Sequence, residues 1–137
     1  MAKTDTAPFA QTTKTGTAVA TLAGTIADDA PTNTLLIATA GLEGALLTSL
    51  KAVPRATVTA SALYLFVSKD NGLTKRLVDS ALMAAHTVAA TTAIPVTDFA
   101  NISDATPIRL EAGDKLYVSS SVALIGGIVF TAQYTDF

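Results

Sequence analysis

"ALYLFVSKDNGLTKRLV", Ala62 to Val78, is the stretch whose reading decides the fold. An apolar run enters, a polar turn follows, and a second apolar run leaves. Asp70-Asn71-Gly72 is a strong hairpin signal, because Gly72 adopts positive φ without a Cβ penalty and Asp70 can accept bonds from the backbone N–H groups of the turn. The incoming run belongs to a strand predicted over Thr57 to Val67. In its first half Thr57, Thr59 and Ser61 oppose Val58, Ala60 and Ala62; in its second half Leu63, Leu65 and Val67 oppose Tyr64 and Phe66. A strand that turns apolar on both faces is covered on both faces, here by a second sheet, a loop or another subunit. Leu73 to Ser80 is the expected return strand.

The rest of the chain carries the same punctuation: short β-branched runs separated by Gly, Pro, Asp and Asn. Gly16 to Ala23 alternates as a half-buried strand. Leu35 to Ala40 and Ala45 to Val53 are two more, with a short helix over Leu42 to Leu50 as the competing reading. "ALMAAHTVAATTAIP" has helical propensity over Leu82 to Ala85, then a Thr- and Val-rich strand pattern ending at Pro95. Thr97 to Thr106 is a polar loop. Pro107 to Leu110, a strand after the Gly113-Asp114 turn, and Ile128 to Thr135 complete about eight strands, the spacing of a sandwich or barrel. The expected fold is all-β: an antiparallel, jelly-roll-like β-sandwich over residues 16–137, preceded by an extended N-terminal arm over residues 1–15.

Composition narrows the function. Of 137 residues, 50% are hydrophobic and 15% charged, against about a quarter charged in ordinary domains. A surface so poor in charge favours self-association or cover by partners. The net charge of −2 gives no basic footprint for nucleic acid. The absence of cysteine excludes disulfides, thiolate nucleophiles and cysteine metal sites. His86 is the single histidine, so no His-pair metal motif exists within one chain. The start, "MAKTDTAPFAQTTKTG", has no apolar leader core. The longest apolar stretch, Leu35 to Val53, is interrupted by Gly41, Glu43, Gly44 and Lys51, against a membrane span.

Residues with chemical potential are sparse. Asp28-Asp29 is the one adjacent acidic pair and reads as a solvated loop. Asp104, Glu111 and Asp114 lie close in sequence, but nothing in their pattern fixes the facing pair that a glycosidase needs. His86 has hydroxyl neighbours, but no Gly-x-Ser-x-Gly elbow exists. The glycines of "AGLEGA" and "IGGI" lack a phosphate-loop context. Ser68-Lys69-Asp70-Asn71-Gly72-Leu73-Thr74 resembles the Asp box of sialidase-type propellers, a structural hairpin motif. Lys75 stands where that motif has Trp and there is one copy, so only its local geometry transfers. One Asp and one Asn fall short of a calcium loop. Neither catalytic residues nor cofactors are expected; the chain reads as a non-enzyme.

"APTNTLLIATAGLEGALLTSLKAVPRATVTASALYLFVSKDNG" and "PIRLEAGDKLYVSSSVALIGGIVFTAQYTDF" together resemble small virion proteins of tailed bacteriophages. The shared elements are a Pro-Thr-Asn-Thr opening, an Ala-Gly-x-x-Gly-Ala turn, a Tyr-Leu-Phe hairpin, a late "LEAGDKLYV" and a glycine-paired final strand. The resemblance implies a structural protein, made in the host cytoplasm and carried on the virion. It is expected to be a capsid decoration (cement) protein, homo-oligomeric with a trimer favoured, whose partner is the major capsid protein. A tail, connector or fibre-base subunit is the rival; a carbohydrate-binding module is a distant one, disfavoured by the lack of Trp. Expected interface residues are Thr4, Pro8 and Phe9 in the arm, the Asp70-Asn71-Gly72 tip with Lys75 and Arg76, and Tyr134 and Phe137 at the end of the chain.

Overall fold

The hairpin expected at Ser68–Thr74 is the tip of the whole winding. The computed structural model describes residues 12–137, which form nine strands: β1 (Thr12–Ala20), β2 (Leu35–Thr39), β3 (Ala45–Pro54), β4 (Ser61–Ser68), β5 (Arg76–Met83), β6 (Thr97–Asp98), β7 (Ile108–Leu110), β8 (Lys115–Ser120) and β9 (Ile128–Asp136). There is no helix among these residues. Every ladder between named strands is antiparallel: β1 pairs β9, β2 pairs β8, β3 pairs β7 and β4 pairs β5. These four pairs nest like one long hairpin whose bend is residues 69–75. Further pairings, β9 with β3 and β8 with β4, assemble the strands into two sheets. One has the order β1-β9-β3-β6, with β7 also on β3; the other has the order β2-β8-β4-β5.

The two sheets share one core. Leu63 and Leu65 of β4, Leu116 and Val118 of β8, Leu47, Leu50 and Ala52 of β3, and Ile128, Phe130 and Ala132 of β9 are its centre. Their spacing of two is the strand period, which sends alternate side chains to one face; the step of three from Leu47 to Leu50 spans a bulge between Leu47 and Ser49. The second half of β4 is covered on both sides, as its sequence requires, and the outer cover is a loop. Phe66 is fully buried but lies opposite Tyr117, on the face away from the common core. The segment 24–34 crosses that face. Gly24 backs onto Ser119, Pro31 is buried, and Asp29 reaches the backbone N–H of Lys75 at the opposite edge of the sheet.

Several boundaries differ from the sequence reading. Among the described residues the first strand covers Thr12–Ala20, so residues 12–15 of the expected arm belong to the sheet; Ala23 makes only an isolated bridge to Ser120. The strand expected from Thr57 starts at Ser61, because 55–60 carries the chain from one sheet to the other after Pro54, with Val58 bridging His86 on the way. The return strand starts at Arg76 because Thr74 is held in the turn by Asp70. Neither helical reading, 42–50 nor 82–85, is a helix in the structure: β3 takes up the first from Ala45 onward, and β5 takes up the second as far as Met83. Past Met83, which is the last residue paired with β4, the strand expected up to Pro95 pairs only at His86, in the isolated bridge to Val58. The expected loop 97–106 instead opens with β6 on the edge of β3.

Candidate functional site

Strand direction sorts the connections into two ends. One end gathers 40–44, 69–75, 111–114 and Phe137. The other gathers 55–60, 84–96 and 121–127.

At the first end, the corner is built around Asp70. Its carboxylate accepts from the Ser68 hydroxyl (3.0 Å), the Thr74 backbone N–H (2.8 Å) and the Thr74 hydroxyl (2.7 Å). The Gly72 N–H donates to Ser68 Oγ at 2.8 Å. Asn71 and Gly72 take φ of 61° and 89°, and a Cβ on Gly72 would sit 2.5 Å from the Tyr117 hydroxyl. Bonds from Thr74 above all, then Ser68, hold the Asp70 carboxyl below its ordinary pKa. A depressed folded-state pKa contributes stability that is present above the unfolded value and lost as pH falls through the folded one. The corner is therefore expected to loosen only in acid. In an NMR titration the Thr74 amide should shift with a midpoint below 3.8, the ordinary Asp value, and Asp70→Asn should abolish the transition; a midpoint at or above that value would contradict the bonding described.

The cations beside the corner are engaged within the chain. Lys69 Nζ lies 2.7 Å from Asp114 Oδ2 and 3.7 Å from Glu111 Oε1, and the bond to Asp114 raises its pKa. Asp114 is 4% exposed and also accepts the Glu111 N–H at 2.9 Å. Lys75 Nζ stands 4.7 Å from the centre of the Tyr117 ring, within cation–π range. Arg76 Nε is 2.8 Å from Asp29 Oδ1, with Nη2 3.4 Å from Oδ2. At the adjoining strand ends, Lys14 Nζ lies 2.6 Å from Asp136 Oδ2, and that bond raises the Lys14 pKa. Asp136 is 7% exposed and accepts the Gly41 N–H at 3.1 Å. Among these groups lies a cleft of about 480 Å³ lined by Leu42, Lys69, Arg109, Glu111 and Phe137.

The opposite end is nearly free of charge. Arg55 and His86 are the only titratable side chains in its three connections, and Arg55 donates to the Gly126 carbonyl at 2.9 Å. Ile125 is fully exposed at the tip of the turn between β8 and β9. Leu22, Leu82 and Val96 are exposed nearby, each by half or more.

Of the expected interface residues, Asp70, Asn71, Gly72, Lys75 and Arg76 fall together at the corner, and Phe137 lies at the same end, on the cleft. Tyr134 points inward and packs against the core. Thr4, Pro8 and Phe9 lie outside the described residues. Sequence reasoning placed Lys75 and Arg76 beside the corner but did not see the carboxylates that meet Lys69 and Arg76. Asp29 and Asp114 stand 47 and 45 residues from the cations they meet. No group of three or more potential metal ligands occurs among the described residues. No protein-family model, curated protein or solved structure matches the chain.

Proposed function

We propose that this chain is a virion structural protein of a tailed bacteriophage, a jelly-roll sandwich carried on the capsid as a decoration (cement) protein. The observation that carries the reading is the charge-poor end, where Arg55 is the one charged side chain in the three connections. Exposed apolar residues such as Ile125, Leu22, Leu82 and Val96 on a charge-poor end suit a surface that another protein covers, and in a shell-bound subunit that protein is the major capsid protein. The corner at the other end is less suited to the task, because Lys69 and Arg76 are already paired with carboxylates of this chain and Lys75 stands over the Tyr117 ring. The nested pairing of β1 with β9, β2 with β8, β3 with β7 and β4 with β5 supports the jelly-roll assignment, an architecture used by viral capsid domains. A protein that binds the assembled shell and not its free subunits stabilises the shell by mass action.

Gold-labelled antibody on intact particles of the encoding phage tests the reading. Label over the heads is expected. Label confined to the tail or neck would replace the cement role with a connector or fibre-base role, and unlabelled particles would overturn the virion reading altogether.

A further inference from the structure

We propose that the free edge of β1 is a self-association surface, on which a second copy of this chain pairs its own β1 antiparallel about a two-fold axis. The argument is a contrast among the sheet edges. An exposed edge strand offers unpaired N–H and C=O groups to any other strand, and proteins blunt such edges with short strands, bulges, inward charges or proline. β6 and β7 are two and three residues long. β2 is five residues long and bulged between Leu36 and Ala38. β5 is bulged between its partners of Leu65 and Phe66, and it turns Asp79 toward the core side, beside Leu65, where Asn101 bonds it. β1 carries one of these devices, the inward-facing charge of Lys14, but Asp136 of its own chain neutralises it. It runs nine residues, pairs β9 in unbroken register from Thr12 to Ala20, and contains no proline. Among the described residues nothing hydrogen-bonds the edge that faces away from β9.

The strand is complementary to itself. Its nine described residues overlap fully with a second copy when Gly16 faces Gly16. That register sets Thr15 opposite Thr17 and Thr13 opposite Val19 on the outer face, and Lys14 opposite Ala18 on the inner face. The one charge of the strand never meets its own copy and is neutralised by Asp136 of its own chain. Pairing would join the two five-stranded sheets into one. It is a two-fold contact, distinct from the three-fold arrangement that the resemblance implies.

Size-exclusion chromatography with light scattering on the full chain tests it. The wild type is expected to run as a dimer, twice 14.0 kDa. Thr15 and Thr17 are exposed and face Gln133 and Thr131 of β9, so charges introduced there meet no charge within the chain. The T15K/T17K variant sets like charges opposite each other twice across the axis and should weaken the dimer tenfold or more. The T15K/T17E variant sets opposite charges there and should keep the dimer; circular dichroism establishes that both fold. A monomeric or trimeric wild type, or two variants that associate alike, would overturn the proposal. The measurement uses purified protein, so it succeeds or fails independently of the particle labelling.

Discussion

Phe66→Ala should destabilise the fold by about 3–5 kcal/mol, the range for removing a large aromatic from a well-packed site. The size of that loss is not obvious from the position. Phe66 is on the face of its sheet that points away from the common core, where a strand of an ordinary half-buried sheet would carry a polar residue. It is nonetheless fully buried, with Tyr64 edge-to-face at 6.3 Å. The burial comes from segment 24–34, which crosses from Ala23 beside β8 to Asp29 at the start of β5. The Asp29–Arg76 ion pair that fastens it is exposed on both sides, and such pairs contribute about 0–1 kcal/mol. Backbone hydrogen bonds fix the strap at its two ends, Gly24 N–H to Ser120 O and Lys75 N–H to Asp29 O, and between them it rests on the aromatic surface beneath it. Urea unfolding should show the midpoint falling with Phe66→Ala, while Leu77→Ala, an exposed residue paired with Phe66 on β5, should stay within about 0.5 kcal/mol of wild type. A loss below about 1 kcal/mol for Phe66→Ala would mean that the loop does not seal this face.

Phe66 also shows what the sequence could convey. The change from one apolar face to two within residues 57–67 announced that something covers the outer side, and periodicity of two located β3, β8 and β9 to within a residue or two. What periodicity could not register is where a strand runs out of neighbours. Thr57–Ala60 alternates well but is spent in crossing between sheets, and 87–95 has strand-like composition but nothing to pair with. The corner was legible because its chemistry is local: Ser68, Asp70, Gly72 and Thr74 lie within seven consecutive positions. The partners of its cations were not, since Asp29 and Asp114 are brought there by the winding of the chain. Asp28-Asp29 read as a solvated pair for the same reason: a carboxylate in a loop carries no mark of the arginine it will meet.

Gly16→Ala should cost about 3 kcal/mol, the upper end of the range for forcing an extra carbon into a packed site. In an ordinary strand the same change stabilises, because alanine restricts the unfolded chain more than glycine does. Here the sign reverses. Gly16 is on the inner side of β1, opposite Ala132 of β9, and its missing Cβ would lie 1.9 Å from the carbonyl oxygen of Ile37 in the other sheet. Ile37 is the bulged residue of β2, between Leu36 and Ala38. The bulge turns a backbone oxygen toward β1, and a backbone oxygen cannot swing aside as a side chain would. Either the bulge must be rebuilt or β1 must lift from the corner where the two sheets come together. The urea midpoint should fall with the slope unchanged, since the surface exposed on unfolding is nearly the same. Native-state hydrogen exchange should show lost protection concentrated in β1 and in the β9 amides facing it, while β4 and β8 remain protected. Thr15→Ala, one residue away and exposed, should change little. A neutral or stabilising Gly16→Ala would place the sheets further apart at this corner than the structure has them, and the bulge at Ile37 would then have no role in holding β1.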